Sequence, residues 1–158
     1  VSYRVSQNEL VISGPHIGLP LESNARGLSR GEIFTGDLVK ETSRGLTLIG
    51  RSKNVLNIGG VSISAETLEA TLVESGITSD IGIVEGHDNF LGEIPVIFWV
   101  GDENLEVKEK WQNVALRLGL PARAEFIQTT ALPLIGPGKL DRQSLREEAR
   151  DWMSRRGN

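Results

Sequence analysis

The sequence predicts an α+β protein in which helices pack on a small mixed or antiparallel sheet, preceded by a stretch made of strands alone. Three observations lead to this prediction. Residues 1–51 alternate short apolar runs with turn residues and show no helical periodicity. From residue 52 onward, strand-like and helix-like runs alternate. Between Val107 and Leu118, apolar residues recur at intervals of four and three, which is typical of an amphipathic helix ending at Gly119.

The first stretch contains short predicted strands at residues 2–5, 9–13, 33–40 and 46–51. Between the second and third of these strands, residues 15–31 are irregular and poor in apolar side chains. Because a few short strands need a further layer to bury their apolar face, they do not close a core by themselves. We therefore expect these strands to form the edge of a larger domain.

The second stretch begins with a predicted hairpin at residues 55–63 that turns at Gly59 and Gly60. Ser64 is a good N-cap for the helix that follows, and Gly76 is a good residue to end it. One face of this helix carries the apolar residues Ala65, Leu68 and Leu72.

Two further strands, at residues 80–85 and 94–100, flank a turn and are expected to pair antiparallel. Pro95 predicts that the second of them starts there or lies at a sheet edge. A short strand at residues 124–128 and a helix at residues 141–155 complete the chain. The inward face of that helix carries Leu145, Ala149 and Trp152.

Composition and charge exclude several classes of function. The net charge is −4, with basic residues mixed among acidic ones, so the chain lacks the basic surface that nucleic-acid binding requires. No apolar run approaches the roughly 20 residues that span a bilayer, and the first ten residues are too polar for a signal peptide. We expect neither nucleic acid nor a membrane as a partner.

The chain contains no cysteine, which excludes disulfides, thiolate metal sites and a cysteine nucleophile. This composition fits a reducing compartment, and we expect a cytoplasmic protein. His16 and His87 lie in predicted turns, and neither pairs with carboxylates at a metal-ligand spacing, so no metal site is predicted. The chain begins with Val1 rather than Met, and we expect the natural protein to be longer.

The strongest functional signal is Lys139, which lies in a Gly- and Pro-rich loop just before the last predicted helix. Gly136 and Gly138 allow the backbone to approach a ligand closely, and Pro137 limits the freedom of the loop. Asp141 is a good N-cap for the following helix. The loop is therefore suited to presenting the lysine, although an exposed lysine beside a helix cap is a common structural feature.

Three segments, in order, resemble the adenylate-forming enzymes, which include acyl-CoA synthetases, adenylation domains of peptide synthetases and firefly-type luciferases. Residues 31–38 are similar to the family's Thr-Gly-Asp segment, and residues 50–69 to its Gly-Arg hinge, glycine loop and following helix. Residues 133–142 are similar to its terminal Gly-Lys motif. Residues 9–15 add a weaker match.

The resemblance is to the C-terminal part of such enzymes. It implies that residues 1–51 are the β-rich end of a larger N-terminal adenylation domain, residues 52–54 a hinge, and residues 55–158 a C-terminal lid domain. The family's phosphate loop, adenine-stacking aromatic residue and acyl pocket lie upstream of the matched part. The isolated chain is therefore expected to be inactive.

Three residues receive roles in adenylation from this resemblance. Lys139 would stabilise charge as a carboxylate attacks the α-phosphate of ATP. Asp37 would accept hydrogen bonds from the ribose hydroxyls, and Arg51 would contact the nucleotide near ribose and phosphate. The alternatives from the local sequence are a turn aspartate after Gly36 and a surface arginine at a strand end.

Lys53 matches the family's hinge residue, about which the lid rotates between two half-reactions. Gly59 and Gly60 would line the channel for a thiol-bearing arm, because a missing Cβ lets a pantetheine chain pass close to the backbone. An ordinary hairpin turn explains the two glycines equally well. The chain departs from the family's usual residues near the acceptor site at Val61, Ser62 and Thr67.

The resemblance as a whole implies an acyl- or aryl-CoA synthetase-like ligase. Such an enzyme activates a small carboxylic acid with ATP and Mg²⁺ to an acyl-AMP, and then transfers the acyl group to a thiol, here expected to be coenzyme A. Two alternatives stay open: an adenylation domain that loads a carrier protein, and a non-catalytic module that keeps the lid fold for binding or docking. A catalytic Lys139 distinguishes the enzymes from the module.

Overall fold

In a computed structural model, which describes residues 1–15, 28–29, 31–78, 80–101 and 104–156, the chain divides into two units. These units are Val1–Lys53 and Asn54–Asn158. The predicted α+β class is confirmed, since three helices pack on a mixed sheet and a β-rich unit precedes them. None of the helices among the described residues is long and apolar enough to cross a bilayer.

The first unit is an antiparallel sheet of five strands: β1 Ser2–Ser6, β2 Glu9–Ser13, β3 Leu28–Ser29, β4 Glu32–Thr42 and β5 Gly45–Arg51. The strands are ordered β1-β2-β4-β3, and β5 pairs with the second half of β4. All four predicted strands are confirmed. The short β3 falls within the stretch that was expected to be irregular. Residues 16–27 and 30 of that stretch lie outside the described residues, and so does the predicted turn at His16.

The sheet of the first unit buries little apolar surface. Among its described residues, only Val11 and Val39 are buried apolar side chains, at 0% and 4% exposure. The exposed apolar side chains of the same sheet include Tyr3, Phe34, Leu48 and Ile49. Within the described part of this unit, the strands therefore enclose little apolar core.

The second unit is built on a mixed sheet of β6 Val55–Ile58, β7 Val61–Ser64, β8 Ile81–Asp88, β9 Gly92–Val100 and β10 Glu125–Thr129. β9 is central: β8 pairs with it antiparallel along its length, and β10 pairs with it in parallel. β6 meets β9 at the single pair Ile58–Gly92. The predicted hairpin between β6 and β7 is confirmed.

Helices cover both faces of β9. The helices are α1 Ala65–Glu74, α2 Asn104–Leu118 and α3 Arg142–Arg156. α1 and α2 bury one core with Ile83, Ile97 and Trp99, whereas α3 buries the other with Val84, Val96 and Phe98. Because alternate residues of a strand point to opposite faces, a strand covered on both sides is a continuous apolar run, as β9 is from Ile94 to Val100.

The helix boundaries follow from the capping residues that the sequence indicated. The Ser64 hydroxyl accepts a hydrogen bond from the Thr67 N–H at 3.1 Å and caps α1. Gly76 and Gly119 follow α1 and α2 with φ of +100° and +69°, a conformation that ends a helix and favours glycine.

The prediction that Pro95 starts a strand or marks an edge is wrong. Pro95 is buried within β9, opposite Glu85 of β8. On the other side of β9, β6 pairs with it at Gly92 and β10 pairs with it from Val96 onward. Pro95 lies in the gap between these two strands, where its missing N–H costs no hydrogen bond to either of them. His87, expected in a turn, lies within β8.

Candidate functional site

Thr35, Gly36 and Asp37 form a bulge in β4. Between the pairs Glu9–Leu38 and Val11–Phe34, β2 advances by two residues while β4 advances by four. Gly36 has a φ of +74°, which a glycine adopts without strain. Bulges redirect side chains from the regular alternation of a strand, and this one determines where the Asp37 carboxylate points.

Neighbouring side chains hold this bulge in place. The Glu9 carboxylate accepts the Gly36 N–H at 2.8 Å. The Thr35 hydroxyl donates to the Leu10 carbonyl at 2.9 Å and accepts the Asp37 N–H at 3.1 Å. The polar groups left unpaired by the interrupted ladder are thereby satisfied.

The structure brings Asp37 and Arg51 together. The two residues pair across β4 and β5, and the Arg51 Nε lies 2.7 Å from the Asp37 Oδ1. The Asp37 side chain is 24% exposed and that of Arg51 48% exposed. A carboxylate has two oxygens with several acceptor positions, so Asp37 can accept further hydrogen bonds while it contacts the arginine.

Lys139 lies on a small hairpin that the sequence did not predict. β11 Leu134–Ile135 pairs with β12 Lys139–Leu140, and Ile135 is opposite Lys139. The connecting turn holds Gly136 and Gly138 at φ of +57° and +82°. Lys139 is exposed, and within the described part of the chain its ammonium has no hydrogen-bond or ion-pair partner. The hairpin therefore presents an unpaired cation.

The base of the hairpin is continuous with the start of α3. The Asp141 N–H donates to the Pro133 carbonyl at 2.8 Å and closes the hairpin. The Asp141 carboxylate caps α3, accepting the Ser144 hydroxyl at 2.7 Å and the N–H groups of Gln143 and Ser144. These bonds, led by that of the Ser144 hydroxyl, hold the pKa of Asp141 below its ordinary value.

Gly59 and Gly60 form the two-residue turn between β6 and β7. Both have positive φ, +57° and +83°, as a two-residue hairpin turn of this type requires. A Cβ on Gly59 would lie 2.7 Å from Cγ and Cδ of Pro121, whereas a Cβ on Gly60 would meet nothing within 4 Å. The fold thus requires glycine more strictly at position 59 than at position 60.

Lys53 lies in a short 3-10 helix, Ser52–Asn54, and it is the last residue of the first unit. Its side chain is exposed, and that of the following Asn54 is buried. The predicted hinge residue therefore coincides with the boundary between the two units.

An ion-pair network next to the lysine hairpin was not predicted from the sequence. Arg142, the first residue of α3, forms two parallel hydrogen bonds with the Glu69 carboxylate, at 2.7 and 2.8 Å. It also donates to the Ile83 carbonyl at 2.7 Å, and Glu69 accepts the Ile83 N–H at 2.7 Å. Burial by itself lowers the pKa of the Arg142 guanidinium. The hydrogen bonds to Glu69 and the nearby carboxylate charges raise this pKa by more, so that it lies above its ordinary value.

The same network extends to the first residue of the second unit. The Asn54 side chain donates to Glu66 at 2.5 Å and accepts from Arg146 at 3.1 Å, and Arg146 pairs with Glu85 at 2.7 Å. The only sequence signal for Arg142 and Glu69 was their place within the segments that resemble the family. Their pairing was not foreseeable, because 73 residues separate them.

The predicted site residues are divided between the two units. Asp37, Arg51 and Lys53 belong to the first, and Gly59, Gly60 and Lys139 belong to the second. Among the described residues, no group of three or more histidine and carboxylate side chains is arranged to hold a metal ion.

Comparison with known proteins identifies relatives. No family model matches the chain. The 2,3-dihydroxybenzoate-AMP ligase of Bacillus subtilis is 30% identical over 133 residues, which cover 80% of this chain and 24% of that protein. The 2-hydroxy-7-methoxy-5-methyl-1-naphthoate–CoA ligase of Streptomyces carzinostaticus is 34% identical over 135 residues, again 80% of this chain and 24% of the relative. The chain spans about a quarter of the length of these curated relatives.

Solved structures share the fold. The o-succinylbenzoate CoA synthetase MenE of Bacillus subtilis, in complex with the acyl-adenylate intermediate OSB-AMP, superposes with a TM-score of 0.72 at 20% identity. The match covers 92% of this chain and 33% of that one. The relatives and the shared fold agree with the three motif segments, and the chain belongs to the adenylate-forming enzymes, the AMP-dependent synthetases and ligases, to whose C-terminal part it corresponds.

Proposed function

We propose that this chain carries the lid and hinge of an ATP-dependent acid–thiol ligase, which converts a carboxylic acid to an acyl-AMP and then transfers the acyl group to a thiol. The observation that carries the proposal is the exposed, unpaired ammonium of Lys139 on a hairpin closed by Asp141. An unpaired lysine on a braced turn is available to a ligand, whereas a lysine engaged in an ion pair is not.

Lys139 supplies positive charge in the first half-reaction. A carboxylate oxygen forms a bond to the α-phosphorus of ATP, and the bond from that phosphorus to the bridging oxygen breaks, releasing pyrophosphate. Two anions approach each other in this step, and an ammonium close to both offsets their repulsion. Mg²⁺ bound with ATP neutralises charge on the phosphate chain.

Asp37 and Arg51 bind the nucleotide in this proposal. The Asp37 carboxylate is half-buried and already oriented by Arg51 at 2.7 Å, so little side-chain freedom is lost when it accepts the ribose hydroxyls. Arg51 keeps its remaining donors for ribose or phosphate oxygens. Burial of part of the pair strengthens hydrogen bonds to the charged groups.

The proposed substrate class is an aromatic carboxylic acid, because the names of the relatives contain 2,3-dihydroxybenzoate and a substituted 1-naphthoate. The proposed acceptor is the thiol of a pantetheine arm. Coenzyme A is the acceptor we propose first, and a carrier protein that bears the same arm is the alternative. Gly59 and Gly60 would line its path, and rotation about Lys53 would exchange the two half-reactions.

The full-length protein tests this proposal in an ATP–pyrophosphate exchange assay with a panel of aromatic and aliphatic acids. We expect exchange that depends on an aromatic acid and on Mg²⁺. Coenzyme A and a pantetheine-loaded carrier protein are then compared as acceptors of the acyl group. Absence of exchange with every acid, under conditions in which ATP binds, would support the non-catalytic docking module instead.

A further inference from the structure

The hairpin that carries Lys139 is attached to the rest of the second unit at Arg142. Only two residues lie between this arginine and Lys139 along the chain, and the arginine side chain is 12% exposed. It contacts both carboxylate oxygens of Glu69 and the carbonyl of Ile83, and so joins the start of α3 to α1 and β8. A fork of two parallel bonds restrains direction as well as distance.

The connection from this anchor to Lys139 is short and stiff. Asp141, next to Arg142, closes the hairpin through the Pro133 carbonyl and caps α3. Leu140, next to Lys139, pairs with Leu134 and packs against the core that includes Leu145. Both residues between Arg142 and Lys139 are thus held by hydrogen bonds or packing, so we expect a shift of Arg142 to move the lysine with it.

We propose that the Arg142–Glu69 pair is a positioning device that sets the Lys139 ammonium for acyl-AMP formation. This inference rests on the function proposed above. Neither Arg142 nor Glu69 touches the substrate in this scheme: both are largely buried, with side chains 12% and 17% exposed, and their charges are satisfied by each other. Their effect on the chemistry is therefore exerted through Lys139.

The test uses single-turnover kinetics of the full-length enzyme, with 2,3-dihydroxybenzoate or the acid that the exchange panel identifies. Acyl-AMP formation from acid and ATP is measured separately from transfer of a preformed acyl-AMP to pantetheine. We expect Arg142→Ala and Glu69→Gln to slow acyl-AMP formation about tenfold to a hundredfold, the loss expected when a reacting group is misplaced by about 1 Å. Transfer to the thiol should change by less than about threefold, because Lys139 acts in the first half-reaction only.

A double-variant cycle separates positioning from general stability. In an enzyme that already carries Lys139→Ala, the further change Arg142→Ala should slow acyl-AMP formation by less than about twofold, since the residue it positions is gone. Arg156→Ala is the matched control. Arg156 lies on the same helix, about 20 Å from Arg142 along the axis, and pairs with Glu125 of β10, so its loss should leave both half-reactions unchanged.

Equal slowing of both half-reactions, or losses that multiply in the double variant, would overturn the positioning role. If Arg142→Ala does not fold, Glu69→Gln and Arg142→Lys are judged by the same two criteria, and Arg142→Lys keeps the charge but loses the fork. If Lys139→Ala alone leaves acyl-AMP formation unchanged, the proposed function fails. If it slows the step and the Arg142 and Glu69 variants do not, only the positioning inference fails.

Discussion

Alanine at position 59 should destabilise the second unit much more than alanine at position 60, although the two glycines are adjacent in one turn. Both residues have positive φ, at +57° and +83°. An alanine in this conformation costs about 1–2 kcal/mol, because its Cβ crowds the following carbonyl. This cost is common to both variants.

The second cost applies to Gly59 alone. Its new methyl group would lie 2.7 Å from Cγ and Cδ of Pro121, and the proline ring has no rotamer that moves both atoms away. Overpacking of this kind costs about 1–3 kcal/mol. We therefore expect Gly59→Ala to lower the free energy of unfolding by about 2–5 kcal/mol and Gly60→Ala by about 1–2 kcal/mol.

Tryptophan fluorescence isolates the relevant unit. The chain has three tryptophans, and all of them, Trp99, Trp111 and Trp152, lie in the second unit. Guanidinium denaturation of this 158-residue chain, as wild type and as both variants, is followed by tryptophan fluorescence. It gives the two differences in unfolding free energy. Equal losses in the two variants, or a loss below about 1 kcal/mol for Gly59→Ala, would refute the reasoning from the contact with Pro121.

Three further predictions follow from the site. Gly60→Ala keeps the fold but adds a methyl group beside the proposed thiol path, so it should slow thiol transfer and leave acyl-AMP formation unchanged; unaltered transfer would remove this residue from the channel. Asp37→Asn and Arg51→Ala should each raise the KM for ATP about tenfold or more through lost charge-assisted hydrogen bonds, whereas Arg4→Ala, which breaks the exposed pair with Glu32 in the same sheet, should not. Asp141 has a folded pKa below its ordinary 3.8, so its contribution to stability is present above that value and is lost as the pH falls through the lower folded pKa. Asn is also a good N-cap but does not titrate. In denaturation experiments, the free energy of unfolding of Asp141→Asn should therefore match that of the wild type at pH 7 and fall less steeply as the pH is lowered. An unchanged slope in acid would contradict the assignment.

Local patterns predicted most of the secondary structure. The apolar stripe of α2 is buried as expected, with Val107, Trp111 and Val114 at 2%, 0% and 2% exposure. The predicted caps at Ser64 and Asp141 are confirmed. They could be predicted because a capping bond involves residues only two or three positions apart. Such contacts depend only on residues that are close together in the sequence, so the sequence predicts them.

Features that depend on distant partners were not predicted. Pro95 is tolerated inside β9 because β6 pairs with β9 before this residue and β10 pairs with it after this residue. The sequence around Pro95 does not show where these partner strands pair. The bulge at Asp37 depends on Glu9 from another strand. The Arg142–Glu69 pair, next to the Lys139 hairpin, joins residues far apart in the chain. Motif resemblance located the candidate residues, whereas only the fold shows how they are held.

The half-reaction split of Lys139→Ala in the full-length protein tests the central claim most directly. Acyl-AMP formation from acid, ATP and Mg²⁺ and thiol transfer from preformed acyl-AMP are measured in parallel on the wild type and the variant. We expect the first to fall by about a hundredfold or more, as when a charge-stabilising donor is removed from a transition state, and the second to stay within about threefold. Acyl-AMP formation that survives without the ammonium would contradict the claim and would make the Lys139 hairpin a structural or docking feature.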